Sequence, residues 1–290
     1  MFIQQLITGL SIGSVYALMA VGYSLIYSLL NFTNFAHSVC VMVGAYVSYF
    51  FLLLVADNIL AAALCSLVVA GVLSAIIEKV AYQPLLDKNV NRIYLLIAGL
   101  GIQIVGENLV IVLLDGRFHA YPTTFSSIPI KLFGISIGLI DLIILGVSSL
   151  ALVLVELLIR KTKTGLAIRG AASDLNTTAL MGVPVRRLIT IVFLLAGLLA
   201  GLAGSFTGLK YTAYPSIGSL TTKAFISAVF GGLGSIPGAV IGAFFLGVSE
   251  TMIAAYVSSS LRDMFSFVLL VVVLVIRPTG LMGKATEEKA

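Results

Sequence analysis

The chain has 290 residues, of which 60% are apolar and only 10% are charged. Soluble domains hold close to half apolar and a quarter charged residues, so this composition excludes an ordinary water-soluble fold and indicates a lipid-embedded one. The net charge of +5 does not indicate nucleic-acid binding. Its cations cluster at the ends of apolar segments, where membrane topology accounts for them.

Apolar segments long enough to cross a bilayer recur along the chain. Open strand edges would leave unpaired amides at membrane depth, so the predicted fold is all-α. We expect a polytopic membrane bundle of about 8–9 transmembrane helices of roughly 20 residues each, including broken or re-entrant segments. The predicted spans are 5–28, 36–56, 59–78, 93–114, 139–159, 188–209, a short 220–233, 237–256 and 262–276.

Two apolar regions are interrupted, at Asn31–Ser38 and at Gly231–Gly238. Paired interruptions often mark a transport path, because unwound backbone is tolerated at membrane depth only where it lines a cavity. Two ordinary interhelical turns would give the same pattern. In the first interruption, Asn34, Phe35 and His37 are candidate substrate-pathway residues, since the amide and imidazole can hydrogen-bond a polar solute.

The fourth predicted span carries a second polar group: Gln103, Glu107 and Asn108. Polar side chains are costly in hydrocarbon and are therefore candidates for the substrate pathway. Gln103 and Glu107 share one helix face at one-turn spacing. Glu107 could answer a substrate ammonium, or it could be a neutral acid bonded to a neighbouring helix.

Glycines recur at close to four-residue spacing within several spans. Small residues on one helix face let helices approach closely where lipid supplies no hydrophobic force between them. We therefore predict a tightly packed bundle, with packing faces at Gly9 and Gly13, at Gly197, Gly201, Gly204 and Gly208, and at Gly234, Gly238 and Gly242.

The most cationic connection follows the fifth predicted span. The excess of lysine and arginine in the loop at about 160–187 predicts that it is cytoplasmic, which leaves the N-terminus outside. Its charged residues are Arg160, Lys161, Lys163, Arg169, Arg186 and Arg187, with Asp174 as the acid.

Capping signals inside this loop predict a short helix. Asp174 or Ser173 can cap the start of the helix through its side-chain oxygen. Gly182 can end it in the left-handed conformation, and Pro184 prevents it from continuing.

Ala171, Leu175 and Ala179 would form one small apolar face if this helix extended back to Ala171. A short capped helix with such a face suits docking into a groove on another protein. The alternative is a helix that rests on lipid headgroups.

Taken together, these segments resemble the branched-chain amino-acid ABC transporter permease family of the LivH type. The loop is similar to the one that meets the ATPase subunit in that family, with Gly170 where an alanine is usual. The resemblance extends over essentially the whole chain and includes the opening through Asn34-Phe35-Ala36-His37, the Gly231–Ser235 stretch and the closing Arg277–Leu281. It implies ATPase-coupling roles for Gly165, Arg169, Ala172, Asp174, Ala179 and Gly182.

The resemblance also implies an assembly. Residues 1–290 would form a single ABC-importer permease domain in a prokaryotic cell membrane, paired with a second homologous permease and surrounded by membrane lipid. Two ATP-binding-cassette ATPase subunits and an extracytoplasmic amino-acid-binding protein would complete the importer. No phosphate-binding G-x-x-x-x-G-K-[ST] loop occurs in the sequence, so ATP would be hydrolysed by the partner subunits. We expect no cofactor, metal or catalytic site on this chain.

Other functions fit parts of the pattern. A urea or amide ABC importer would have a very similar permease. A secondary transporter or facilitator could use Glu107 or Glu250 as coupling acids, but would leave the capped helix without a role. An intramembrane enzyme fits poorly, because the two histidines, His37 and His119, form no recognisable catalytic pattern.

Overall fold

The computed structural model describes residues 2–88, 90–122, 129–132, 135–277 and 279–283. The described chain is a helical bundle, as predicted. Its helices are α1 (Phe2–Leu30), α2 (His37–Leu54), α3 (Ile59–Ile77), α4 (Gln83–Asp87), α5 (Arg92–Leu114), α6 (Leu139–Lys161), α7 (Lys163–Ser173), α8 (Leu175–Leu180), α9 (Val185–Tyr211), α10 (Thr221–Gly231), α11 (Ile236–Tyr256) and α12 (Leu261–Ile276).

Among the described residues, seven helical stretches are long and apolar enough to cross a membrane. One of them runs from Ile59 to Asp87, because a π-helical turn, Glu78–Tyr82, joins α3 to α4 without a break. It therefore extends beyond the predicted end of the third span. The two remaining predicted spans correspond to the shorter helices α10 and α12.

The centre of the bundle is built from α1 and α9, which are largely buried along their lengths. Glycines set their close contacts. The backbone of α11 at Gly247 approaches that of α1 at Gly13, and the carbonyl of Val41 in α2 approaches the Cα of Gly204 in α9. The glycine faces predicted on α1 and α9 are therefore packing faces in the structure. Small residues there let the helix backbones approach closely, as helix association in lipid requires.

The glycine face predicted at Gly234, Gly238 and Gly242 is correct only in part. Gly238 and Gly242 lie in α11 and pack on α10, at Gly231 and Ser227. Gly234 lies before the helix, with a φ of +84°, and serves a turn that needs the left-handed conformation.

The outer helices present apolar side chains to the surroundings. Within α5 only Leu95 and Gly99 are buried, and within α12 only Ser266 is. Hydrocarbon is the solvent for such faces. The exposed side chains of α5, α6 and α12 thus form an apolar surface suited to lipid.

A short antiparallel hairpin, β1 (Pro129–Leu132) and β2 (Ile135–Gly138), lies in the connection between α5 and α6. It adds two strands to a fold predicted to be all-α. Because it belongs to a connection between spans, its edges do not contradict the exclusion of open strands at membrane depth.

Candidate functional site

Two helices begin inside the bundle instead of at its ends. α2 begins at His37, whose ring lies against Gly22 of α1. Gly22 is about 12 Å along the helix axis from Leu30, the last residue of α1, at 1.5 Å per residue. The chain therefore turns back into the bundle after α1, and the predicted interruption at Asn31–Ser38 is a true break within the membrane-spanning region.

The second break is not where the sequence placed it. Gly231–Gly238 is an interhelical turn near the end of α1, since Gly234 faces Ser28. The break lies earlier, at residues 212–220, where Thr212 has a φ of +90° and a 3₁₀ turn, Pro215–Leu220, precedes α10. A Cβ on Gly218 would lie 2.7 Å from the carbonyl oxygen of Ser38, so the two breaks meet.

Asn34 holds the first break in shape. Its Oδ1 accepts a hydrogen bond from the backbone N–H of Ala36, at 3.1 Å, and another from the Tyr82 hydroxyl, at 2.6 Å. The Asn34 side chain is buried. Both hydrogen bonds to this oxygen therefore come from the protein itself. Asn34 acts as a brace between the break and the helix that carries Tyr82.

Replacing Asn34 by alanine should destabilise the break. Each buried donor left unpaired, the Ala36 N–H and the Tyr82 hydroxyl, costs about 1–3 kcal/mol. We expect a lower melting temperature of the purified protein in detergent. Tyr82→Phe is the matched control, because it removes one of these bonds without orphaning the Ala36 N–H, and it should have the smaller effect. Equal melting of Asn34→Ala and the unsubstituted protein would contradict this role.

His37 is enclosed in a different way. Its side chain is 1% exposed, and its ring lies 4.8 Å from that of Tyr23 between centroids. The backbone of Met19 is close, but neither ring nitrogen forms a hydrogen bond of normal geometry with the described residues. A buried polar group without a partner is uncommon in proteins and marks a position to test for function.

The polar residues predicted on the fourth span form their hydrogen bonds within α5 itself. The Gln103 amide donates to Glu107 at 3.2 Å, and the Asn108 amide donates to the backbone of Ile104 at 2.8 Å. Gly99 and Gly106 on the same helix contact Phe35 and Val39. The structure thus brings Asn34, Phe35 and His37 together, while Gln103, Glu107 and Asn108 bond within α5.

A buried ionic cluster links α10 to its neighbours, and the sequence singled out only Glu250 from it. The fully buried Glu250 carboxylate lies 2.9 Å from the Arg262 Nε and 3.1 Å from the Lys223 Nζ. It also accepts from the hydroxyls of Tyr16, at 3.0 Å, and Ser266. Since Lys223 belongs to the first turn of α10, the cluster fixes the start of the helix that follows the second break.

The loop predicted to be cytoplasmic folds as two helices joined at Asp174. The Asp174 side chain accepts from the N–H groups of Asn176 and Thr177, which confirms the predicted cap. Gly182 has a φ of +84°, which confirms the predicted left-handed end.

The single apolar face predicted for this loop is wrong. Asp174 has extended backbone angles, as a capping residue must, so the chain bends between Ala171 and Leu175. Ala171 is buried in α7 whereas Ala179 is exposed in α8. The most exposed apolar side chains of the loop are instead at its tip, formed by Leu180 and Met181, which are 87% and 80% exposed.

The other coupling candidates divide into residues that attach the loop to α6 and residues that only lie on its surface. Gly165 packs against the last carbonyls of α6, and the Arg169 guanidinium donates to the Ile159 carbonyl at 2.6 Å. Ala172 and Gly182 are exposed. Gly165 and Arg169 thus attach the loop to the bundle, and Ala172, Ala179 and Gly182 lie on its surface.

A cavity of about 480 Å³ separates this loop from the first break. Asn31 and Leu30, at the end of α1, line one side, and residues 171–176 line another. Arg186 spans its rim through an ion pair with Asp87, at 2.7 Å. The α7–α8 junction and the break after α1 therefore face a common space.

A bundle of apolar spans is the architecture of a multi-pass membrane protein, and chain breaks that meet inside it are a feature of transporters. The chain belongs to the family described as the branched-chain amino acid transport system permease component, whose model matches residues 5–274.

Several named permeases are similar to nearly the whole chain. The high-affinity branched-chain amino acid transport system permease protein LivH of Escherichia coli K12 is 36% identical, over 99% of this chain and 97% of its own length. BraD of Pseudomonas aeruginosa, of the same description, is 36% identical over 99% and 98%. A probable LivH of Methanocaldococcus jannaschii is 29% identical over 93% and 89%.

The fold is similar to a solved structure, PsaBC from Streptococcus pneumoniae in complex with Fab. The TM-score is 0.52 over 95% of this chain and 91% of that one. At 17% sequence identity the likeness concerns the fold alone.

Proposed function

We propose that this chain is the permease subunit of an ATP-binding-cassette importer that moves branched-chain amino acids across a prokaryotic cell membrane. The observation that carries the proposal is the full-length similarity to LivH and BraD, whose names state that transport system. The exposed tip at Leu180 and Met181 supports it, since apolar side chains that project from a charged loop suit docking on another protein.

In this proposal the loop at 160–187 is cytoplasmic and contacts the partner ATPases. Because Gly165 and Arg169 fix the loop to the end of α6, a displacement of the tip would move the Gly165–Gly182 loop as a rigid lever and transmit the movement to α6. Ala171–Asn176 face Asn31 across the shared cavity, so the lever acts close to the first break. ATP hydrolysis takes place on the partner subunits, and substrate arrives from an extracytoplasmic binding protein.

The direct test is uptake of radiolabelled leucine into proteoliposomes that hold this chain, its genetically neighbouring permease and ATPases, and the binding protein. The proposal predicts uptake that requires ATP and the binding protein. Uptake of urea or an amide in place of leucine would correct the cargo and keep the class. Uptake by this chain alone, without ATP, would replace the proposal with a secondary transporter or facilitator.

The docking tip makes a separate prediction. Leu180→Asp and Met181→Asp should abolish ATP-driven uptake and reduce co-purification of the ATPases, because a charged carboxylate in an apolar contact must be desolvated. Both side chains are exposed, so the permease should still fold and elute as a single species. Lys88→Asp is the control, an exposed position at the same end of the bundle, and it should leave uptake near normal. Normal uptake by both tip variants would contradict the docking role of the tip.

A further inference from the structure

The second break leaves a polar strip open on the surface of the described chain. Ser219 and Thr222 are exposed, and Phe225 is partly exposed, at three-residue spacing along the 3₁₀ turn and the start of α10. Neither hydroxyl forms a hydrogen bond to another described residue, whereas the neighbouring buried Thr221 donates to Gly218. The strip therefore has hydrogen-bonding capacity that the described fold does not use.

This strip lies at membrane depth. Gly218 contacts Ser38 beside the level of Gly22, about 12 Å inside the end of α1, and α10 continues toward that end. Irregular backbone does not face lipid in the hydrocarbon region; it is buried in protein or lines a water-filled cavity. The exposed side of Pro215–Leu220 must therefore face an aqueous path or another protein.

Aromatic rings adjoin the polar strip. The ring of Phe225 lies 6.3 Å from that of Phe35, which comes from the first break, and 6.1 Å from that of Tyr23. Phe35 and Phe225 are both partly exposed, whereas Tyr23 is buried. An apolar surface with a few polar groups beside it is the usual composition of a small-molecule site.

We infer that Phe35, Phe225, Ser219 and Thr222 form the surface that contacts the transported amino acid as it passes the middle of the membrane. The two rings contact the aliphatic side chain, and the two hydroxyls hydrogen-bond the polar groups of the amino acid. The inference rests on the proposed function for the identity of the cargo. It assigns contact with the substrate to the meeting of the two breaks and leaves Asn34 as a structural brace.

The first experiment measures water access and does not depend on the cargo. Ser219→Cys and Thr222→Cys are made in the full importer and exposed to a water-soluble methanethiosulfonate reagent, with the labelling of unsubstituted protein, which holds Cys40 and Cys65, subtracted. Leu150→Cys, exposed at the centre of α6, is the lipid-facing control. We expect both strip positions to be labelled much faster than Leu150→Cys. Labelling as slow as the control would mean that lipid or the partner permease covers the strip, and would overturn the inference.

The second experiment measures the leucine transport rate in an importer whose unsubstituted form shows ATP-driven leucine uptake. An apolar pocket gains or loses about tenfold or more for a single methylene, so Phe225→Ala should lower the leucine transport rate at saturating binding protein by about tenfold. Phe225→Leu should retain more of the rate, and Leu150→Ala should leave it unchanged. Equal rates for Phe225→Ala and unsubstituted importer would overturn the inference while leaving the proposed function intact. Absence of uptake by the unsubstituted importer would instead count against the proposed function.

Discussion

Glu250→Ala should be among the most destabilising single substitutions in this protein. Glu250 is fully buried, and the side chains of Arg262 and Lys223 that pair with it are 23% and 15% exposed. Removing one partner of a buried ionic pair leaves the others uncompensated, at a cost of about 3–5 kcal/mol. Lys223 retains Asp263 at 2.7 Å, so we expect a value near the lower end. The measurement is the melting temperature of purified protein in detergent.

A matched control separates burial from charge. Glu156→Ala also removes a glutamate that pairs with an arginine, but its partner Arg160 is 64% exposed on the same helix. Such pairs contribute about 0.3–0.5 kcal/mol. Glu250→Gln keeps a hydrogen-bonding side chain and should fall between the two. If Glu250→Ala has the same melting temperature as Glu156→Ala, the cluster does not hold α10 in place.

The second large effect concerns Gly204→Val. A Cβ at Gly204 would overlap the Val41 carbonyl and lie 2.9 Å from the backbone nitrogen of Ala45. These are backbone atoms of α2, so the two helices must move apart instead of a side chain turning aside. Overpacking a core costs about 1–3 kcal/mol and more where the neighbours cannot adjust. We expect little properly folded protein, assayed as the fraction that elutes as a single species after extraction.

Gly146→Val is the control for this substitution. It introduces the same side chain into a membrane helix, α6, where a Cβ would meet nothing within 4 Å. The helix propensity of valine therefore affects both variants alike, and the difference between them reports the close contact at Gly204. Normal recovery of Gly204→Val would show that α2 and α9 do not need to approach this closely.

Features that depend on neighbouring residues were predictable from the sequence. The cap at Asp174 and the left-handed end at Gly182 each depend on residue type at one position and on residues within a few places of it. The glycine spacing in α9 likewise indicated a packing face, although not its partner. The error at Ala171–Ala179 came from extending a helix back through its own capping residue, which must have non-helical backbone angles.

The second break illustrates what spacing alone cannot locate. Gly231–Gly238 and 212–220 both contain glycine and proline, and both could be turns. Which of them lies inside the membrane depends on how deep α10 sits, and that is fixed by the contact of Gly218 with Ser38, far away in sequence. Local signals mark where a helix ends; they carry no information about its depth.

The sequence by itself determined the membrane-embedded class, the helical fold, the family and the capped loop at 160–187. Composition and short-range hydrogen bonding decide these features, and both are present in the linear chain. Only the tertiary structure decided that Glu250, Lys223 and Arg262 form one cluster, that Asn34 is a brace and that the two breaks meet. Each of these depends on contacts between residues far apart in the chain, which form only when α10, α11 and α12 pack together and the two breaks meet inside the bundle.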